Sequence, residues 1–559
     1  MVERELTDAL NLSEQCSDEE VTSSIAGLLM SAVHDANPPK SLADVYHIIT
    51  TFRATSYLDP LNMIPLLLPC DDFEARNIIA LIGNCSSAKE VVMTVQEAME
   101  RLERALERED DDDEKDEAKD EDVLHSRKQN STIIQFLILI ELYSSAIPRI
   151  KLRHKTASDT LRPLLDELEN VASLASSHST QNEACDILSS ISKLSINIDK
   201  WVASNATDGS KDDRATCKAI IGGVLDRSLL ICRHGLHTSI AQRTLEKCFP
   251  RLASRSATGT SGGSGESAVM EWLDAHHSLG FQFVSLDRLA SPSDLIFYAY
   301  SPPAPIDLEK LLAFIIPALI ASIQTNEFLN ESLAVLITYL HAWQTTKPTA
   351  SLPHDITIPL CGLLPSIASA HLDPSVRHQT FRVLSLLLSV ADPWLRFQNL
   401  VEYTRDSEYP QMRVAAVGLV KDTLIKSLSS PNAKDDPFCS LLFLRSFGPI
   451  LFRPDPHDLL SETLTLDQFQ ETLEPGRLVE CLSLYYVLIQ RDASNATGIR
   501  DKDVQNSIEH TFLSPLRASV ERWMATSDGM EGHLHNVTPI ISLKICLERV
   551  DTAIANISK

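Results

Sequence analysis

Apolar residues recur at helical spacing along most of this chain, and the clearest example is the stretch Asp373–Asp422. Each half of that stretch has a proline at its helix start, then an arginine, and then Leu, Val, Phe or Ala at helical spacing. The two arginines, Arg377 and Arg413, are 36 residues apart. That separation is close to the period of a two-helix repeat of the HEAT or armadillo type. The pattern therefore predicts stacked helix pairs.

Asp-Pro pairs punctuate the C-terminal half of the chain. They occur at 373–374, 392–393, 436–437 and 455–456, and the first three precede strongly apolar stretches. An Asp that caps free backbone amides, followed by Pro in the first turn, is typical of a helix start. Long runs of β-branched residues with period two are missing, so we expect little or no sheet. We predict an all-α fold, a HEAT/armadillo-like helical-repeat solenoid in two halves.

The two repeat arginines have a predicted structural role. In HEAT repeats an arginine at this position typically bonds across to a neighbouring repeat, often to an aspartate. Asp373, Asp392 and Asp422 are the candidate partners for Arg377 and Arg413. We therefore expect these arginines to stabilise the stack rather than to bind a partner directly.

Changes in composition divide the chain. We predict an N-terminal helical half at 1–250, a flexible Gly/Ser- and Pro-rich connection with short helical parts at 251–305, and a HEAT-like half at 306–559. Within the first half, Glu107–Asp122 holds twelve acids and three bases, a density that predicts disorder. The Gly/Ser linker proper is Ser254–Ser267.

Charge and cysteine usage narrow the class of partner. The formal net charge is −26, which disfavours nucleic acid and favours a protein partner. The eleven cysteines form no Cys-x-x-Cys pair, and the first five residues are too charged for a signal peptide. The two most apolar runs are Ile133–Leu142 and Leu311–Ile323. Both are shorter than the roughly 20 residues that a transmembrane helix needs, so we predict that they form buried helices. We expect a monomer in the cytoplasm, with the nucleus as a second location.

Candidate chemistry is sparse. Cys232, His234 and His237 form the best metal-like cluster, but no matching second pair of ligands follows it. No nucleophile elbow or phosphate-binding loop is evident. We therefore predict no catalytic residue, metal or cofactor. Cys16 and Cys217 lie among polar residues, which makes them the candidate redox thiols.

Two sets of motifs carry a family resemblance. The stretch Asn84–Val92 resembles the N-terminal signature of the fungal YAP-binding proteins. The segment Trp394–Trp523 resembles the C-terminal part of glomulin and of its plant root-formation relative. Its markers are Arg396–Leu400, Met412–Ala415, Leu482–Asp492 and Phe512–Leu516.

The resemblance implies a non-enzymatic helical protein that binds other proteins. Glomulin-like members bind the RING subunit of cullin–RING ubiquitin ligases and mask the surface that docks the ubiquitin-conjugating enzyme. YAP-binding members bind an AP-1-like bZIP factor and support its oxidative activation, and a paralogue is linked to kinetochores. We favour the first function and retain the second as the alternative.

The resemblance places the docking face between about Leu395 and Trp523. Protein interfaces favour arginine and aromatic residues, with the binding energy concentrated in a few of them. The candidate partner-binding residues are Arg396, Phe397, Arg445, Tyr486 and Arg491. We expect the side chains of Arg396 and Arg491 to project outward.

Overall fold

A computed structural model describes most of the chain. The described residues are 6, 10, 17–112, 130–152, 155–205, 211–252, 263–280, 288–301, 307–347, 350–405, 409–430, 436–456, 458–461, 464–527 and 534–557. The structure is 82% helical, and the described ranges contain no strand. The predicted all-α solenoid is confirmed.

The chain packs as two compact units. The first comprises Met1–Ser239, Arg255–Asp287 and Pro292–Phe297, and the second comprises Ile240–Ser254, Arg288–Ser291 and Tyr298–Lys559. The three-part division at 250 and 305 stays a prediction.

In the first unit, alternate helices form two layers. The helices are α1 Asp18–His34, α2 Leu42–Thr51, α3 Pro60–Leu67, α4 Phe73–Cys85, α5 Ala88–Asp112, α6 Thr132–Ala146, α7 Ala157–Ser177, α8 Gln181–Asn205, α9 Lys211–Ile231 and α11 Ser264–Leu279. Helices α1, α3, α5, α7 and α9 pack in one row, and α2, α4, α6, α8 and α11 pack in a second row against it. Each helix pair buries an apolar stripe that one helix alone would leave exposed.

The second unit has the same two-layer construction. Its helices are α10 Ile240–Cys248, α13 Leu308–Thr325, α14 Leu329–Thr346, α15 His354–Ala370, α16 Pro374–Val390, α17 Pro393–Arg405, α18 Pro410–Leu428, α19 Leu441–Leu451, α20 Leu466–Gln470, α21 Glu474–Arg491, α22 Lys502–Ile508, α23 Ser514–Ser527 and α24 Leu534–Ile557. Helices α13, α15, α18, α21 and α24 pack in one row, and α10, α14 and α16 pack in the other. Helix α17 packs against α18 and α19. A further helix, α12 Pro292–Tyr300, straddles the division.

Capping residues set where these helices begin. The Asp373 carboxylate accepts a hydrogen bond from the Ser375 amide at 2.8 Å, and Pro374 occupies the first turn of α16. The Asp392 carboxylate accepts a bond from the Trp394 amide at 2.9 Å in the same way. Each side chain satisfies an amide that the helix itself leaves unpaired.

Among the residues that the structure describes, two helical segments are long and apolar enough to cross a membrane by length and composition. They are Thr132–Arg149, which includes a 3₁₀ turn, and Leu308–Thr325. They are 50% and 39% buried within the structure. This is weak evidence for a span, because the core helix of a globular protein passes the same test.

The acidic run Glu107–Asp122 begins inside a helix. Helix α5 continues to Asp112, so the prediction of disorder is wrong for its first residues. Glu and Arg form helices well, and α5 already carries an i,i+4 ion pair of 3.1 Å between Glu100 and Arg104. The rest of the run lies outside the described residues.

The linker Ser254–Ser267 also ends in a helix. Its last residues form the first turn of α11, and Gly265 and Glu266 are buried there. A Cβ atom on Gly265 would lie 2.8 Å from the backbone oxygen of His237. Glycine is therefore needed at this position because the two backbones pack closely. The composition of the segment had suggested a flexible linker instead. Residues 254–262 lie outside the described part of the chain.

Candidate partner-binding surface

Arg413 joins successive elements of the second unit. Its guanidinium lies 2.9 Å from the Asp455 carboxylate and 3.9 Å from that of Glu474 at the start of α21. Glu474 also holds Arg477, whose side chain is only 1% exposed, through a bond of 2.7 Å. Arg413 thus lies in a partly buried ion-pair network. Its contacts agree with a stabilising role, although its acidic partners are not the aspartates that the sequence suggested.

Arg377 has the matching sequence position after a helix-start proline, but α16 lies in the other row of helices from α18, so the two arginines are not equivalent in the stack. The Nη1 of Arg377 donates hydrogen bonds to the carbonyl oxygens of His371 and Leu372, at 2.6 and 3.1 Å. These carbonyls follow the C-terminus of α15, so the arginine stabilises the turn between α15 and α16. Neither Asp373 nor any other described carboxylate forms an ion pair with it.

Arg396 does not project outward, so that expectation is wrong. Its Nη2 donates to the carbonyl oxygens of Ala391 and Ser389, at 2.8 and 3.3 Å, at the end of α16. Burial lowers the pKa of the Arg396 guanidinium below its usual value. The side chain is turned inward because the preceding helix ends with carbonyls that have no partner of their own. Its predicted partner contact stays untested.

Phe397 belongs to the apolar core of the second unit. Its side chain is 5% exposed, and its ring lies 5.2 Å from the rings of both Phe438 and Phe447 in edge-on contacts. Edge-on aromatic packing of this kind stabilises a core beyond the burial of area alone. A substitution here would therefore change the fold before it changed a surface.

The other three candidates are accessible. Arg445 on α19 and Arg491 at the end of α21 are exposed, and Tyr486 on α21 is 38% exposed. No hydrogen bond or ion pair joins these three residues to one another in the described ranges. Their contact with a partner stays a prediction.

Two surface grooves lie on either side of the start of α18, one between α15, α16 and α18 and the other between α18, α21 and α24. The first, of about 240 Å³, is lined by residues that include Arg377, His378, Phe381, Gln411 and Met412. We call it the basic groove. The second, of about 340 Å³, runs from Gln411 past Leu473 and Gly476 to Pro539 on α24. Gln411 lines both, so the two grooves adjoin at this residue. Sequence patterns did not single out Gln411, because its place between the grooves depends on how the helices pack.

The proposed redox thiols receive no support where they are described. Cys217 is fully buried, and burial together with nearby Asp213 raises the pKa of its thiol to about 11. A thiol in that state is a poor nucleophile at neutral pH. The polar sequence neighbours of Cys217 lie on the other faces of α9, which explains the wrong expectation. Cys16 lies outside the described residues.

The metal-like cluster and one group of serine, histidine and aspartate side chains lie in the first unit. Among the described residues, no group of three or more His, Cys, Asp or Glu side chains could hold a metal ion. Cys232 is buried in a 3₁₀ turn, and burial raises the pKa of its thiol. The Ser293 hydroxyl donates to the Asp226 carboxylate at 2.7 Å, and His276 lies 3.3 Å from that same carboxylate. A catalytic triad instead requires the imidazole between serine and aspartate.

Residues 296–547 match the family described as YAP/Alf4/glomulin, whose short name is Kinetochor_Ybp2. The match confirms the predicted resemblance to this family over residues 296–547. The match contains the whole of the glomulin-like segment Trp394–Trp523. No curated protein matches the chain.

The YAP-like stretch Asn84–Val92 lies outside the residues matched to the YAP/Alf4/glomulin family. It forms the end of α4, a turn and the start of α5. The guanidinium of Arg149 donates to the carbonyl oxygens of Ser86, at 2.6 Å, and Gly83. The stretch therefore has a defined structural role in joining two stacked helices of the first unit.

Proposed function

We propose that this protein is a non-enzymatic interaction scaffold that binds the RING subunit of a cullin–RING ubiquitin ligase and restrains ubiquitination. The family match over residues 296–547 carries the proposal, because it covers the segment that resembles glomulin. The two-layer stack supports it, since such stacks present long, continuous surfaces to protein partners. We expect the protein to act as a monomer in the cytoplasm and also in the nucleus.

The proposed docking face is the accessible surface around α19 and α21. Arg445, Tyr486 and Arg491 are the residues with both the exposure and the chemistry of interface hot spots. Phe397 and Arg396 are better explained as residues that hold the fold beneath that face. The proposal therefore assigns the partner contact to three of the five residues predicted from the sequence.

The alternative, a cofactor of an AP-1-like bZIP factor under oxidation, receives less support. Cys217 is buried and its thiol is held in the protonated form, so the redox chemistry would have to use another cysteine. Affinity capture under reducing and under oxidising conditions separates the two functions. Cullin-ligase components in both conditions favour the scaffold, and a bZIP factor captured only after oxidation favours the alternative.

A direct test uses purified RING subunit bound to its cullin. The chain should bind this complex and slow the formation of ubiquitin chains. The variant that combines Tyr486→Ala with Arg491→Glu should weaken binding at least tenfold, about 1.4 kcal/mol, if these side chains lie in the centre of the interface. Lys310→Glu, an exposed change of equal charge on α13, serves as the control. A wild-type chain that neither binds the complex nor slows the reaction would overturn the proposal.

A further inference from the structure

The basic groove is unusual for a protein with a net charge of −26. Helix α16 contains no aspartate or glutamate, and its accessible edge carries Arg377, His378, Phe381 and Arg382. Residues spaced by three and four positions lie on one face of a helix, so these side chains form one stripe. The stripe combines positive charge with one large apolar ring.

The hydrogen bonds of Arg377 leave most of its donors unused. Within the described part of the chain, only Nη1 is hydrogen-bonded, to the carbonyls of His371 and Leu372. Arg413, which follows the start of α18 as Arg377 follows that of α16, is neutralised by Asp455 and Glu474. A guanidinium held in place by backbone carbonyls, with Nε and Nη2 unbonded, is oriented to receive a carboxylate.

The groove beside this arginine also offers apolar contact. Phe381 and Ala415 are partly accessible on its wall, and Met412 is buried beneath them. Its volume of about 240 Å³ suits one or two side chains. At Gln411 the groove adjoins its neighbour, where Leu473 is 44% exposed. The amide of Gln411 can both donate and accept, which suits the backbone of an extended chain.

We propose that the basic groove binds an extended acidic segment of a protein partner. A carboxylate of that segment pairs with Arg377, and an adjacent apolar side chain packs on Phe381 and Ala415. The segment then crosses Gln411 towards Leu473. Charge complementarity selects this occupant, because no aspartate or glutamate lines either groove among the described residues. Nucleic acid is a poorer fit, since a phosphate chain requires a long basic track and the protein is strongly acidic.

The test uses a fluorescent peptide of about eight residues in which glutamate alternates with leucine, long enough to span both grooves. A peptide of equal length with glutamine in place of glutamate is its neutral counterpart. The acidic peptide should bind the full chain more tightly than the neutral one. Its affinity should fall as salt is raised, because the contact is partly exposed.

The most informative variants change Gln411, which lies in the first turn of α18 and is exposed. Gln411→Glu places a negative charge near a helix N-terminus, where it should not harm folding. It should weaken binding of the acidic peptide several-fold, and Gln411→Lys should strengthen it. Arg377→Glu should abolish binding, although it also removes a bond to the turn. Lys310→Gln, at an exposed position on α13, lowers the net charge by one as Gln411→Glu does, and Lys310→Glu lowers it by two as Arg377→Glu does, so they are the matched controls.

The proposal is overturned if the acidic and neutral peptides bind with equal affinity. It is also overturned if the Gln411→Glu and Gln411→Lys variants bind the acidic peptide with equal affinity. A single-stranded oligonucleotide that displaces the peptide at equal concentration would identify a general polyanion site instead and also overturn it. The inference does not depend on the RING subunit, whose docking test changes Tyr486 and Arg491, neither of which lines the groove.

Discussion

Asp492 and Thr497 close the loop that follows α21. The Asp492 carboxylate accepts hydrogen bonds from the Thr497 amide at 2.8 Å and from its hydroxyl at 2.6 Å, and the aspartate is 1% exposed. The Ala496 amide donates to the other carboxylate oxygen at 2.8 Å. Buried carboxylates persist only when they are bonded in this way. The aspartate ends one of the glomulin-like motifs, so that motif fixes a loop as well as a helix face.

The first prediction follows from this loop. Asp492→Ala should lower the free energy of unfolding by about 2–4 kcal/mol, because it leaves buried amides without an acceptor. Urea denaturation followed by circular dichroism measures the change. Asp503→Ala, at an exposed position on α22, is the control and should shift stability by less than about 0.5 kcal/mol. Equal stability of the two variants would mean that the loop does not contribute to the cooperative fold.

The second prediction concerns Arg413 and its partners. Arg413→Ala should cost about 2–3 kcal/mol, since it leaves Glu474 partly buried without that cation. Asp455→Asn should cost under about 1 kcal/mol, because the Asp455 side chain is 62% exposed and its pairing is weakened by solvent. Thermal or urea unfolding of both variants checks the order. An Arg413→Ala variant that unfolds like the wild type yet loses partner binding would reverse the structural assignment.

Local sequence signals predicted the helices well, and the reason is physical. The Asp-Pro starts at 373–374 and 392–393 act through contacts within three residues, so no tertiary information was needed. Gly265 shows the opposite case. Its closest neighbour is the backbone of His237, a contact that depends on helix packing, and composition alone suggested a linker.

The candidate surface was harder to predict for the same reason. Arg396, Arg445 and Arg491 are chemically alike, and only the packed structure shows that Arg396 binds the carbonyls at the end of α16. Arg377 and Arg413 have matching positions in the sequence, but their helices lie in different rows. Only Arg413 meets Asp455 and Glu474, which come from later in the chain. The spacing of residues in the sequence identifies such arginines. It does not show whether an arginine is already paired within the fold or is accessible to a partner.

The third prediction concerns pH. Burial on α7 raises the pKa of Glu167 from 4.5 to about 7. The hydrogen bond from Gln96 lowers this pKa, and the nearby charges of Glu100 and Glu103 raise it further. The pKa of Glu167 is higher in the folded than in the unfolded chain, so the protonated carboxyl favours folding. Its contribution to stability is complete below pH 4.5 and is lost as the pH rises through about 7.

Glu167→Gln removes this loss. The variant should gain stability relative to the wild type as the pH rises from 5 to 8, by on the order of 1 kcal/mol after allowance for solvent screening. Urea midpoints at several pH values measure the difference. Asp166→Asn, at an exposed neighbour, should show no such trend. A stability difference between Glu167→Gln and wild type that is constant with pH would contradict the assignment.

The last prediction separates the arginine that holds the fold from the arginines that face solvent. Arg396→Met keeps the aliphatic stem and removes the guanidinium, which leaves the Ala391 and Ser389 carbonyls without that donor. It should lower the free energy of unfolding by about 1–3 kcal/mol. Arg445→Met and Arg491→Met are matched changes at exposed positions and should alter stability by less than about 0.5 kcal/mol. Binding of the RING subunit, measured well below the unfolding temperature, should show the reverse order. Arg445→Met and Arg491→Met should weaken it, and Arg396→Met should change it little. If Arg396→Met unfolds like the wild type but no longer captures the RING subunit, Arg396 belongs to the docking face after all.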